Sequence, residues 1–293
     1  MRDVPKGETP KIYVMGDIHG RYQPVRDFWL RTKLKQKITN CRENQVLILL
    51  GDAGLNYFFN ERDKKTKEKL GTYPFTYFVV RGNHEERPSN CMAKEPDKWE
   101  IEEFWGGIVY VEKDFPYIKY AGDGPAIYNI PYIVTPCELR DDDENGNIQW
   151  NDLVDDYKTL VLPGAYSVDK FYRLHMGYSW FEDEQMSEPE REYAWDLIDR
   201  NGHQFDLILS HTCPICFEPT DLFLPMVDQS LVDKDMERFM GAVEYAVDYK
   251  AWMWGHYHKY RDYPRTDGKK KLMLFQEAVN LDQFMEDEIP EVL

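Results

Sequence analysis

Apolar and polar positions along the 293-residue chain alternate between two kinds of pattern. Short apolar runs, KIYVMGD (11–17), QVLILLGD (45–52), FTYFVVRGN (75–83), FDLILSH (205–211) and YKAWMWGH (249–256), read as buried strands. Between them, residues 23–38 and 188–200 are expected to be helical. So is 231–247, where Val232, Met236, Phe239, Met240, Val243 and Val247 recur at helical spacing. Alternating strands and helices imply a sheet covered by helices. Residues 108–175 hold further β-like runs broken by Gly, Pro and Asn, so a second sheet is expected there. No internal repeat and no long Pro/Gly/Ser linker interrupts the chain, and 1–293 reads as a single domain with an acidic loop insertion at 137–157.

The five strong strands share a feature at their ends. Asp17 and His19 follow the first, Asp52 the second, and Asn83 and His84 the third. His211 ends the fourth, and His256 and His258 end the fifth. In open α/β sheets ligands gather outside the carboxyl ends of the strands. Five of the seven histidines are therefore expected to converge on one edge of one sheet.

Composition narrows the function without choosing it. The hydrophobic share of 42% is enough for a substantial core, and no apolar run approaches the ~18 residues of a membrane span. The segment MRDVPKGETPK carries no apolar secretory signal, and five cysteines without a regular framework suit a reducing cytoplasm. A net charge of −17 opposes tight binding of extended nucleic acid, which depends on Lys and Arg displacing counterions. Basic stretches at Lys64–Lys69 and Lys269–Lys271 read as solvated faces.

Two Asp, one Asn and four or five His make a mixed nitrogen and oxygen donor set. Such a set suits zinc, iron or manganese, whereas calcium takes oxygen alone. It is too rich for one ion and fits two that share a bridging carboxylate. Such a pair, about 3.5–4 Å apart, acidifies bound water and clamps the oxygens of a phosphate.

GDIHG (16–20), GD (51–52), GNHE (82–85), SH (210–211) and GHYH (255–258) resemble, in order, the motifs of the calcineurin-like metallophosphoesterase superfamily. The resemblance implies a metallo-dependent phosphatase-like α/β fold: a four-layer α-β-β-α sandwich of two mixed sheets flanked by helices. It implies that Asp17, His19 and His258 hold one divalent metal (Mn, Fe or Zn), that Asn83, His211 and His256 hold the second, and that Asp52 bridges them. His84 would stabilise the phosphate or protonate the leaving oxygen, while a metal-bound hydroxide attacks phosphorus in line. The implied substrate is a small phosphorylated molecule or a nucleotide. Alternatives are a phosphodiesterase or nuclease acting on cyclic nucleotides or nucleic acid ends, and a non-catalytic scaffold on the same fold. GDIHG and RGNHE are especially similar to protein Ser/Thr phosphatases and diadenosine-tetraphosphate hydrolases. Those families follow the second GD with Arg-Gly, where this chain has GDAGLNYFF, which speaks against protein phosphatase activity. Arg81, Arg87, Arg140 and Arg173 are substitute phosphate-binding candidates, each with a competing structural role.

Other features carry two readings. CPIC (213–216) has redox or zinc spacing but no second CxxC, and reads as a free-thiol loop. DDDENGNIQWND (141–152) fits the spacing of a calcium loop, with Asp152 in place of the bidentate Glu; the competing reading is an acidic hairpin turn at Asn145-Gly146. His175 and His203 stand outside any motif and read as structural. Tyr57, Phe58, Phe59, Trp180, Phe181 and Tyr257 could wall a nucleobase or aryl site, or pack in the core.

Overall fold

The computed structural model describes residues 1–5, 9–34, 42, 45–142, 148–225, 227–265 and 267–286. Two seven-stranded mixed sheets face one another. The first runs, edge to edge, β14 (Ala278–Asn280), β2 (Lys11–Met15), β3 (Gln45–Leu50), β4 (Thr76–Val80), β7 (Ile118–Ala121), β6 (Gly107–Glu112) and β5 (Trp99–Phe104). Strands β2, β3, β4 and β7 are parallel, so their carboxyl ends share one edge. The second runs β1 (Arg2–Pro5), β9 (Ile148–Leu162), β10 (Gln204–Ser210), β11 (Asp248–Trp254), β13 (Lys270–Met273) and β12 (Arg261–Asp262), with β8 (Ala126–Asp142) antiparallel to β9. Strands β9, β10, β11 and β13 are parallel.

Period-2 alternation sorts each central strand between two cores. Ile12, Val14, Ile48, Leu50, Phe78 and Val80 of the first sheet meet Val161, Leu207, Leu209, Ala251 and Met253 of the second, forming the layer between them. The intervening residues Tyr13, Met15, Leu47, Leu49, Tyr77 and Val79 face outward under α1 (Gln23–Leu34), α2 (Glu61–Leu70) and α3 (Pro88–Lys94). On the far side, Leu160, Ile208, Trp252 and Trp254 lie under α5 (Glu188–Arg200) and α6 (Asp235–Ala246), through Ala194, Ile198, Met236, Phe239, Met240 and Val243. Short helices α4 (Lys170–Met176) and α7 (Leu281–Met285) complete the chain. This is the expected α/β sandwich of two mixed sheets with flanking helices.

Local chemistry sets the helix limits. A capping box of Ser187 and Glu190 starts α5, and its span coincides with the expected 188–200. Helix α6 begins four residues later than expected, where the Asp235 amide donates to Asp233 Oδ1. Helix α1 covers the first twelve residues of the expected 23–38. Among the described residues no helix is long and apolar enough to cross a membrane.

The structure departs from three expectations. The five ligand-bearing strands do not share one sheet: β2, β3 and β4 belong to the first, β10 and β11 to the second. All five are buried on both faces, so their sequences carry no mark of sheet membership. Residues 108–175 likewise divide between both sheets instead of building one. The basic stretches are not simply solvated either. Lys67 is buried against Asn56 and Glu112, while Lys270 and Lys271 are buried on β13, held by Phe284 O and Asp267.

The acidic stretch 137–157 lies in the β8–β9 hairpin, where Asp142 pairs with Ile148. The centre of the candidate calcium loop, 143–147, lies outside the described residues; its flanks pair as strands.

Candidate metal centre

At the facing edge the two sheets are stitched together by the residues the motifs supply. The β3 carboxyl end meets the loop after β10, where His211 Nδ1 lies 2.7 Å from Leu50 O. A carbonyl oxygen only accepts, so Nδ1 carries the proton and donates, which leaves Nε2 turned toward Asn83 Oδ1 (2.9 Å) and Asp52 Oδ1 (3.3 Å). Fixing one ring nitrogen in this way is how proteins aim the other at a metal.

The two carboxylates are seated alike. The His84 amide donates to Asp52 Oδ1 at 2.8 Å, and the His256 amide donates to Asp17 Oδ1 at 2.9 Å. Each approach runs past a glycine that any side chain would block. A Cβ on Gly82 would stand 2.1 Å from Asp52 Oδ1, and one on Gly255 would stand 2.3 Å from Asp17 Oδ1. Both Oδ2 atoms are left for other partners, and Asp17 Oδ2 is buried with no hydrogen bond. Two fully buried carboxylates cost several kcal/mol unless cations compensate them.

Ligand-capable atoms fall into three overlapping groups, each within 4.8 Å: Asp17, His19 and His258; His19, Asp52 and His84; Asp17, Asp52 and His211. His19 Nε2 and His258 Nε2 are 2.7 Å apart, and the His211 and His256 rings are 5.0 Å apart. The structure thus gathers Asp17, His19, Asp52, Asn83, His84, His211, His256 and His258 in one place. Geometry alone leaves His84 as eligible a ligand as its neighbours.

Backbone strain concentrates here. His19, Asp52, His256 and His258 take positive φ of 47°, 45°, 70° and 53°. Such conformations cost about 1–3 kcal/mol each in non-glycine residues and persist where the surroundings impose them.

Crowding drives the titrations apart. Burial opposes ionisation of Asp17 and Asp52, but the neighbouring histidines more than offset it and hold both below the usual carboxylate range. His211, despite its burial, is pushed up to about 9 by Asp52. His256 is pushed down to about 3 by burial and by the charge of His211. Burial also lowers His84.

Behind these groups lies support that the sequence did not announce. Asn83 Nδ2 donates to Ser167 Oγ (2.8 Å), which in turn bonds Glu184 and receives Arg173. The network turns Asn83 Oδ1 toward His211. Arg173 is otherwise tied to Asp169 (3.0 Å). Arg81 donates to Glu184 O, and Arg87 to Asp183 O and Glu190, so both are occupied in holding loops. The Arg140 side chain lies outside the described residues. His203 bonds Asp199 and lies in its own turn, and Cys213 and Cys216 are free thiols.

A cavity of about 280 Å³ opens onto the cluster. Of the expected aromatics, Tyr257 lines it, while Tyr57 stacks against His84 at 5.7 Å. Most of the apolar wall comes instead from Leu222, Phe223, Leu224, Val227 and Val232, which the motifs do not include. The run DLFLP (221–225), apolar yet outside any strand or long helix, was the available signal.

A sequence model of the family described as calcineurin-like phosphoesterase matches residues 10–260. Among solved structures, the chain is similar to a protein of Thermus thermophilus, with 10% identity, 94% of this chain and 96% of that one covered, and a TM-score of 0.49. It is also similar to a dimetal phosphatase from Danio rerio (12% identity, 95% and 93% covered, TM-score 0.46) and to the phosphopantetheinyl hydrolase from Mycobacterium tuberculosis (11%, 92% and 90%, TM-score 0.40). No curated protein matches the chain in sequence.

Proposed function

The chain belongs to the calcineurin-like phosphoesterase family, and we propose that it hydrolyses the ester of a small phosphorylated molecule or nucleotide at this centre. The family implies a dinuclear divalent metal site, and the donor groups gathered here fit one. Asp17, His19 and His258 would hold one cation; Asn83, His211 and His256 would hold the other; Asp52 would bridge them. Manganese, iron and zinc all suit these donors. The observation that carries the reading is the pair of buried carboxylates, each with one oxygen fixed by a backbone amide, with Asp17 Oδ2 facing His258 and His19 but accepting no hydrogen bond among the described residues.

Cations bound there acidify water and neutralise phosphoryl oxygens. Hydrolysis joins a water oxygen to phosphorus and breaks the bond to the leaving oxygen, which then needs a proton. In this reading His84 would give it or hydrogen-bond the phosphoryl group. Its Nε2 is 3.9 Å from Asp52 Oδ2, and its ring faces the cavity with Tyr57 against it. Asn83 and His211 are held by hydrogen bonds to Ser167 and Leu50 O, which fix the direction of the atoms they would offer a cation.

The test is turnover of p-nitrophenyl phosphate and of its bis ester, with manganese and after chelation. Manganese-dependent release from either supports the reading, and the preferred ester separates monoesterase from diesterase. No release from either would leave only a scaffold role.

A further inference from the structure

The cavity beside the cluster has two unlike walls. One is the cluster itself, through His19, Asp52, Asn83, His84, His256 and His258. The other is mainly hydrocarbon, from Val168, Leu222, Phe223, Leu224, Val227 and Val232, with the polar neutral groups of Tyr166, Gln229 and Tyr257 among them. Charged groups on the second wall have partners, although one buried oxygen of Glu237 accepts no hydrogen bond among the described residues. Lys234 is paired with Glu218 at 2.6 Å, Asp169 with Arg173 at 3.0 Å, Asp233 accepts from Gln185 at 3.0 Å, and Glu237 accepts from Thr212 at 2.7 Å. Three of those four are carboxyl groups, and the only cation among them is neutralised. A second phosphate beyond the scissile one would meet acids and hydrocarbon there, with no free positive charge among the described wall residues.

We propose that the organic group esterified to the phosphate is apolar, an alkyl or aryl moiety without further ionised phosphates, and that it lies against Leu222, Phe223, Leu224, Val227 and Val232. This rests on the phosphoesterase reading above and narrows it away from nucleoside polyphosphates. The scissile phosphate sits at the cluster, and the apolar group fills the adjoining cavity. Continuity of the two walls within one cavity fixes that orientation. Burying hydrocarbon there favours longer chains by about fourfold for each methylene fully removed from water.

The test pairs turnover with binding. Methyl, butyl and hexyl phosphate, their methyl diesters, and hexane-1,6-diol bisphosphate are compared as substrates of the manganese-loaded protein. These alkyl esters share a similar leaving-group basicity, so kcat/KM reports the cavity. Binding of methylphosphonate and hexylphosphonate is measured by calorimetry with and without manganese. Expected are at least a tenfold preference for hexyl over methyl in both readouts, and a poorer kcat/KM for hexane-1,6-diol bisphosphate than for hexyl phosphate. Leu224 is 58% exposed, so Leu224→Asp is compatible with folding. That variant should cut the hexyl-to-methyl ratio at least fivefold, a ratio taken within one protein and so insensitive to the active fraction. Equal binding and turnover of methyl and hexyl compounds, or a preference for the bisphosphate, would overturn the inference and leave the hydrolase intact. Hexyl preference in binding without turnover of any ester would remove the hydrolase reading instead.

Discussion

His19 and His258 stand at the mouth of the centre, although Asp17, grouped with them, is fully buried; Asn83 and His211 form the floor, with His256 packed against His211. The His258 side chain is 52% exposed and that of His19 23%, while His211 is fully buried and Asn83 nearly so. The floor residues are each fixed by a second bond, His211 to Leu50 O and Asn83 to Ser167. Among the described residues no such brace to the backbone or a hydroxyl is seen on His258, whose Nε2 meets His19 Nε2 and, at 3.4 Å, Asp17 Oδ2. Preorganised ligands lose little freedom on binding, and exposed ones lose more. The two proposed cation positions should therefore differ in affinity, the floor holding its ion and the mouth exchanging it.

The largest effect is expected where both positions meet. Asp52→Asn keeps the shape and removes the shared charge. Turnover should fall by about a thousandfold or more, with fewer than two manganese ions per chain by elemental analysis. Burial opposes the Asp52 charge, but His211, His84 and His19 more than offset it, so at neutral pH the metal-free variant should melt below the parent. Two ions retained with activity within tenfold would show that Asp52 does not bridge.

The comparison breaks or holds on the next pair. His211→Ala should lose activity about a thousandfold and gain nothing from millimolar manganese. His258→Ala should lose about a hundredfold and recover most of it as manganese rises. Equal recovery in both would mean that depth does not distinguish the sites.

His84→Ala separates chemistry from binding at either depth. As proton donor or phosphate contact, His84 should cost kcat about a hundredfold with both ions still bound. A fall in metal content would instead class it with the ligands, a role its distance from Asp52 and His19 allows.

The sequence carried the strands and their terminal ligands because each run is apolar on both faces and stops abruptly at Gly, Asp, Asn or His. It did not carry their division between sheets, since Leu47 and Leu209 look alike whichever sheet encloses them. Helix α2 was illegible for the opposite reason. ERDKKTKEKL reads as solvent-facing, yet Asp63 accepts the amides of Tyr57, Phe58 and Phe59, and Lys67 is buried against Asn56. Polar contacts replace the apolar stripe that periodicity looks for. Ser167 was likewise invisible, because a single serine in a loop has no spacing to betray it.

Ser167 supplies the smallest and most selective test. Its hydroxyl oxygen is what Asn83 Nδ2 donates to, so Ser167→Ala leaves that buried amide without a partner and frees Asn83 to turn. An orphaned buried donor costs about 1–3 kcal/mol, enough to lower Tm by several degrees. Manganese affinity at the floor should fall about tenfold, as is usual when the support behind a ligand is removed. The mouth ligands make no bond to Ser167, so in a two-site titration the weaker step should stay where it was. If instead both steps moved together, the floor and the mouth would be one cooperative site, and the difference in their depth would not govern how each ion is held.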